Sequence, residues 1–217
     1  MMKKNVFILG AGGHAKVVIN SLSSYADINI LGILDVDKSK IGKSILEIEI
    51  IGTDELLNDY SSDEIYLVNA IGSTVRPKKR AEIHRKFKSL GYKFLSVVHE
   101  SACIANDVEI GEGAHIMAGV IIQPGCVIGD NVIINTAASI DHDGFIGNNS
   151  HLAPGAVCSG NVKIGEGVHI GTGAVVIQNI NIGDDCLVAA GSVVAEDITV
   201  GSFVMGVPAK KVHAGEQ

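Results

Sequence analysis

The sequence has no tryptophan, aromatic residues make up only 4% of its 217 positions, and proline occurs 4 times. Ordinary globular cores draw much of their bulk from aromatic rings, so this core must be filled by aliphatic side chains in some regular way. There is no basic run. Lys plus Arg total 17 against 24 Asp plus Glu, a formal net charge of -7, which argues against nucleic acid or an anionic membrane as a partner. No apolar stretch approaches the roughly 20 residues of a membrane helix. The opening MMKKNVFILGAGGHAK sets two lysines before an apolar run. Val6–Leu9 passes at once into glycines, however, and reads as a strand and not as a secretory leader. The four cysteines, Cys103, Cys126, Cys158 and Cys186, show no metal-type pairing. They read as reduced thiols of a cytoplasmic protein. What the chain has in quantity is glycine, 26 residues, and 47% hydrophobic residues against 19% charged, a balance that excludes disorder.

An internal repeat decides the fold. Stepping by six from Val98 to Val200 gives 18 positions, and 17 of them are Ile, Leu or Val, with Cys158 the exception. Four residues after most of these stands a small or β-branched residue, as at Ala102, Val120, Cys126, Ala138 and Ala156. Glycine often follows the aliphatic directly, as at Gly111, Gly129, Gly147, Gly165 and Gly171. A period of six fits neither a 3.6-residue helix nor a two-residue meander. It fits a short strand and a corner, repeated, with three hexads closing one triangular coil of 18 residues. Eighteen hexads make six coils, stacked at roughly 4.8 Å into a prism on the order of 30 Å long. Such a bore admits stacked Ile and Val but not Trp. A solenoid needs capped ends. The preceding domain serves at one end, and the tail from 206 to 217, with GVPAKKV, at the other.

Residues 1–97 read as a small α/β domain, 98–205 as the parallel β-helix, and 206–217 as a C-terminal tail. In the first unit, strands are expected at 5–9, 28–34, 65–71 and 93–98, and helices at 16–23 and 76–90, with a further helix start at Gly52-Thr53-Asp54-Glu55. Alternation of this kind gives a parallel sheet. GAGGHA, at 10–15, follows a strand and opens a helix, and Asp35 lies about twenty residues on, at the end of the second strand. This is the Rossmann-like fingerprint in its expected context. Glycines let the backbone approach a phosphate, and the helix N-terminus presents free N–H groups to an anion. A nucleoside diphosphate on a sugar carries the same pyrophosphate as a dinucleotide, and the short domain favours a single nucleotide.

The two parts together resemble the bacterial nucleotide-amino-sugar N-acetyltransferases and the related sialic acid O-acetyltransferases. The resemblance rests on FILGAGGHAKVV, NAIG, INTAASIDHDGFIGNNSHLAPGAVCSGNVKIGEG and GVPAKKV. It implies a left-handed β-helix and a homotrimer with its active sites between subunits. The activity it implies is transfer of acetyl from acetyl-CoA to the 4-amino group of a UDP-4-amino-4,6-dideoxy sugar, with no metal. By the same resemblance His142 is the catalytic base and Asp143 its acidic neighbour. His151, Asn135, Thr172 and Ala190 line the acetyl-CoA site, and Gly12, Gly13, His14, Asp35 and Gly72 line the nucleotide-sugar site. Gly160 is the candidate for the oxyanion amide.

The chemistry asks for such a pair. An amine loses a proton as it attacks a thioester, imidazole has a pKa near ~6.5, and a neighbouring carboxylate fixes the ring tautomer and steadies the imidazolium. No nucleophilic Ser or Cys is demanded, so direct transfer in a ternary complex is the simplest route. His142 falls at a corner of the prism, pointing to solvent or to a neighbouring subunit. His115, Ile133, His151, His169 and Leu187 are spaced by 18 and form one column, so His151 and His169 are expected as vertical neighbours on an outward face. Three other readings stay open: O-acetylation of sialic acid or another sugar hydroxyl, N-acetylation of a GDP- or dTDP-linked amino sugar, and a non-catalytic nucleotide-sugar sensor. A zinc enzyme with histidines from two subunits is a further reading. Its relatives pair two histidines five apart, whereas His142 and His151 are nine apart.

Overall fold

The computed structural model describes residues 3–73 and 78–212. Its first unit is a six-stranded sheet built from β1 (Lys4–Leu9), β2 (Ile28–Leu34), β3 (Ser44–Ile45), β4 (Ile48–Gly52), β5 (Ile65–Asn69) and β6 (Lys93–Phe94), in the order β3-β4-β2-β1-β5-β6. All pairings are parallel except the β3–β4 hairpin. Alternation along β1 explains the layers. Val6 and Ile8 face helix α1 (Gly13–Leu22), while Phe7 and Leu9 face the opposite layer with Leu57 and Phe87, the latter from helix α2 (Lys78–Ser89). One expectation is refined here and one corrected. The stretch after Gly52 does start a helix, N-capped by Thr53, but it is the 3₁₀ helix Asp54–Asp59 and too short to propagate as an α-helix. The strand expected over 93–98 is broken in two, with Val97–Val98 already belonging to the first coil. The first two residues expected in the second helix, 76 and 77, lie outside the described residues.

From Val97 onward the chain is a left-handed parallel β-helix of two-residue strands on three faces. The first face stacks Val97–Val98, His115–Ile116, Ile133–Ile134, His151–Leu152, His169–Ile170 and Leu187–Val188. The second stacks Cys103–Ile104, Ile121–Ile122, Ser139–Ile140, Val157–Cys158, Val175–Val176 and Val193–Val194. The third runs from Glu109–Ile110 to Asn181–Ile182. The hexad aliphatics and the small residues four positions on point inward and form one continuous core, with Cys126, Cys158 and Cys186 inside it and Cys103 exposed.

The register holds through Val194 and then slips. Ile198, not Val200, pairs with Ile182 and fills the last inward place, and Val204 pairs with Val188. Val200 is 68% exposed. The corner is cut by two residues where Asp197 accepts the Asn181 amide at 2.7 Å. This coil is hydrogen-bonded to a full coil on one side only, so the 18-residue repeat is no longer enforced. The strand Lys210–Lys211 then folds back antiparallel on Phe203–Met205, and Ala209 packs on the core as a lid. Residues 213–217 of the expected tail lie outside the described residues.

The α/β unit seats α1 on the first face, burying Val97 and Met117 with Val18 and Ile19. Arg80 of α2 is buried, and its guanidinium donates to the carbonyls of Asn69, Ile71, Gly113 and Asn131. One side chain thus ties the end of β5 to a corner of the β-helix, which fixes the loop at Ile71–Ser73.

Candidate functional site

A cleft of about 350 Å³ opens at the carboxyl ends of β1, β2 and β5, lined among others by Gly10, Gly12, Asp35, Lys40, Gly72 and Lys79. Gly10 has φ +98°, and a Cβ there would strike the Ile71 side chain at 2.9 Å. Gly12 and Gly13 differ: a Cβ on either meets nothing within 4 Å. No protein packing calls for glycine at these two positions. They leave the start of α1 bare, and Gly12, its N-cap, supplies no side-chain cap. Free amides facing open space suit a phosphate. Asp35 lines this cleft, but its carboxylate is already engaged. One oxygen accepts the Asp37 amide at 2.9 Å, and the other accepts the Ala11 amide at 2.7 Å and Lys40 at 3.0 Å. Burial pushes the Asp35 pKa up, and those hydrogen bonds outweigh it and leave it below the usual carboxylate range. Asp35 therefore holds the glycine loop and brings Lys40 to the cleft, a role that position in the sequence did not reveal.

Gly72 also borders a second chamber of about 240 Å³, lined by Gly13, His14, Ser73, Ile133, Asn135 and His151 among others. His14 Nε2 lies 2.9 Å from His115 Nδ1, so His14 has only Nδ1 left for a ligand. Asn135 Nδ2 donates to His151 Nε2 at 3.2 Å. His151 and His169 are neighbours in register, with ring centroids 4.9 Å apart and edge to face. They do lie on an outward face, but the α/β unit covers it, and His151 is 6% exposed. Burial, the largest cause, lowers the pKa of both His14 and His151 to about 3. Burial also holds His115 well below the ordinary value. All three are neutral at pH 7. Ser73 Oγ, His115 Nε2, His151 Nδ1 and His169 Nδ1 are buried without a partner among the described residues. Sequence reasoning missed Lys40, Ser73, Arg80 and a role for His115. The 18-residue column held the only signal, and it named His115 without showing what it meets.

His142 and Asp143 stand at another edge. His142 Nδ1 lies 2.8 Å from Asp143 Oδ2, and the His142 amide donates to Asp141 Oδ1 at 2.9 Å. The hydrogen bond that Asp143 accepts from the ring raises the His142 pKa, helped by the charges of Asp141 and Asp143. The imidazole is exposed, and its far side rests on Gly160 one coil on. A Cβ at Gly160 would sit 2.5 Å from His142 Nε2. His142 and Gly160 lie two residues beyond the inward Ile140 and Cys158 of the second face, whereas Thr172 and Ala190 lie two residues beyond the inward Ile170 and Val188 of the first. Asn135 and His151 belong to that first edge too. The candidate residues therefore divide between two edges of the prism, roughly 15–20 Å apart for a six-residue side at ~3.3 Å per residue. Within one chain His142 does not face the chamber that holds Asn135 and His151. Among the described residues, no three His, Cys, Asp or Glu side chains come close enough to hold a metal ion.

Both units have counterparts among known proteins. Residues 5–87 match the PglD N-terminal domain, and residues 96–141 match the bacterial transferase hexapeptide (six repeats). The acetyltransferase domain of PglB from Neisseria gonorrhoeae is 35% identical, with 97% of this chain and 100% of that one covered and a TM-score of 0.89. The same domain in complex with acetyl coenzyme A matches at 35% identity over the same shares, with a TM-score of 0.88. PerB from Caulobacter crescentus, in complex with CoA and GDP-perosamine, is 37% identical over 96% of this chain and 97% of that one, with a TM-score of 0.88. With these matches spanning both units, the chain belongs to the hexapeptide-repeat family of acetyl-CoA-dependent sugar N-acetyltransferases that carry a PglD N-terminal domain.

Proposed function

We propose that this protein moves the acetyl group of acetyl-CoA to the 4-amino group of a UDP-linked 4-amino-4,6-dideoxy sugar, with His142 as general base. The carrying observation is the 2.8 Å contact between His142 Nδ1 and Asp143 Oδ2, which leaves Nε2 free. Asp143 holds the proton on Nδ1, so Nε2 carries the lone pair. As the sugar nitrogen bonds to the thioester carbonyl carbon, its proton passes to Nε2. The tetrahedral oxyanion is met by the Gly160 amide. When the C–S bond breaks, the imidazolium returns the proton to the departing CoA thiolate.

The nucleotide diphosphate fits at the bare start of α1, beside Gly12, Gly13 and Lys40. The sugar passes Gly72 into the chamber of His14, Ser73, Asn135 and His151. Acetyl-CoA lies along Asn135, His151, Thr172 and Ala190, with Gly160 reached from the neighbouring edge. Because the chamber and His142 occupy different edges, a complete site needs His142 from a second copy, and a closed homotrimer supplies it with threefold symmetry. The second face between those edges carries the exposed Ile121 and Val157, apolar surface that a neighbour would cover. The nucleotide and acetyl-CoA are both metabolites of the cytoplasm, where this reading places the protein.

The GDP-perosamine bound to PerB makes a guanosine-linked amino sugar the second reading. The test offers UDP-, GDP- and dTDP-linked 4-amino sugars and a sialic acid with acetyl-CoA, and follows free thiol. Preference for the UDP amino sugar is expected, with His142→Ala lowering kcat by about 10²–10⁴ at nearly unchanged nucleotide-sugar affinity. Turnover like that of the unaltered protein would remove His142 from the mechanism. Faster release with the sialic acid would replace the amine by a hydroxyl.

A further inference from the structure

The corners of the β-helix carry ladders of residues with positive φ, spaced by 18. On one edge Asn131 donates its side-chain amide to Asn149 at 2.8 Å, and on the edge of His142 Asn161 donates to Asn179 at 2.9 Å. All four have φ between 56° and 62°. Asp143 occupies the same kind of rung, with φ 59°. Yet its carboxylate does not join the ladder and turns to the imidazole beside it. The rung beneath is Gly125, φ +77°, which has no side chain to offer. A Cβ built there would lie 2.6 Å from Asp143 Oδ1. The Gly125 amide is itself held by Asp107 at 3.0 Å, which keeps that rung in place.

We propose that Gly125 is a positioning residue: its empty rung releases the Asp143 carboxylate from the corner ladder and lets it engage His142. The inference rests on the proposed role of His142, but its structural claim concerns the resting protein and can be read there. The charged groups that act on the imidazole are Asp143 and Asp141 on its own corner, while Asp107 is spent on the Gly125 amide. Gly160, above, adds none.

The test is Gly125→Asn. Asparagine accepts this backbone conformation at four other rungs, so the substitution spares the fold, and its amide would lie under Asp143 as Asn131 lies under Asn149. The His142 imidazole is followed by NMR titration of the full chain without substrates, with His142→Ala to assign its signal. His142 should titrate at lower pH than in the unaltered protein, moving toward the ordinary imidazole value of ~6.5. Activity at pH 7 should fall by about tenfold or more, the share of general-base catalysis lost with its orienting partner. Gly201→Asn serves as control. Gly201 has φ +69° with nothing within 4 Å of an added Cβ, and its substitution should move neither quantity. In an Asp143→Ala background, Gly125→Asn should cost less than about twofold more, because the group it displaces is gone. Ala137 shows that alanine sits at such a rung. Gly125→Ala is the smaller second variant, with the same expected direction. An unchanged His142 titration in both variants, or losses that multiply in the double substitution, would overturn the proposal. Full activity in His142→Ala would instead refute the base assignment and leave the titration result standing.

Discussion

His14 and His115 share one proton between Nε2 and Nδ1, 2.9 Å apart, across 101 positions of sequence. The contact joins the first turn of α1 to the second coil of the β-helix. It also fixes what His14 shows to the chamber. If His115 donates from Nδ1, its buried Nε2 is a bare lone pair, and His14 keeps its own hydrogen on Nδ1, turned toward a ligand. The opposite arrangement buries an unpaired N–H on His115, which proteins rarely tolerate.

The pH dependence of stability follows from this cluster. His14, His115, His151 and His169 all have pKa values lowered by burial. Their unfolded values lie near ~6.5. A histidine depressed in the folded state contributes stability that is present above its unfolded pKa and is lost as pH falls toward its folded one, because the unfolded chain binds more protons in that window. For His14 and His151 the window runs from about 6.5 down to about 3. His151 alone should account for on the order of 2 kcal/mol lost by pH 5. Melting temperature measured from pH 7.5 to 4.5 should fall steadily below 6.5, and His151→Asn should flatten the slope. A flat profile in the unaltered protein would mean that these rings are not neutral and buried.

Two glycines separate function from packing. Gly160 does not adopt a positive φ, and the first thing its added Cβ would strike is the His142 ring, at 2.5 Å from Nε2. Gly171 would instead drive a Cβ into the backbone of Ala189 and Ala190, 2.5–2.7 Å away. Gly160→Ala should therefore lower kcat by about 10² or more while the melting curve barely moves. Gly171→Ala should cost about 1–3 kcal/mol of stability. Thermal melts and single-turnover acetyl transfer on both variants check this, and an active Gly160→Ala would show that the imidazole does not work from the position it holds here.

Much of this architecture was legible in the chain because a solenoid repeats one local solution. A hexad aliphatic meets the same neighbours in every coil, so spacing alone predicts its burial, from Ile116 to Val194. His142 with Asp143 came from the family resemblance and not from the repeat; their 2.8 Å contact forms within one corner and needs no distant partner. His14 with His115, Arg80 with four carbonyls, and the engagement of Asp35 by Lys40 were not legible. Each depends on how the α/β unit seats on the β-helix or how a loop closes, and no periodicity encodes that. The separation of Asn135 and His151 from His142 by a whole face is arithmetic on the repeat. It gains meaning only when the chamber at the first edge is seen.

The last coil is where the repeat misleads, and it supplies the sharpest check on the register. Counting by six puts Val200 inside, but the chain turns early, and Ile198 is 8% exposed against 68% for Val200. Ile198 is bridged to Ile182 and caps a bore that ends at Val194 and Val204. Removing its three outer carbons uncovers that end and leaves a void, so Ile198→Ala should cost about 2 kcal/mol or somewhat more. Val200→Ala removes methyl groups that already face water and should stay within about 0.5 kcal/mol. Chemical denaturation of the two variants, at matched protein concentration because the proposed homotrimer would make apparent stability concentration-dependent, decides between the registers. If Val200→Ala proved the costlier substitution, the six-residue spacing would run to the end of the prism, and the early turn at Asp197 would be wrong.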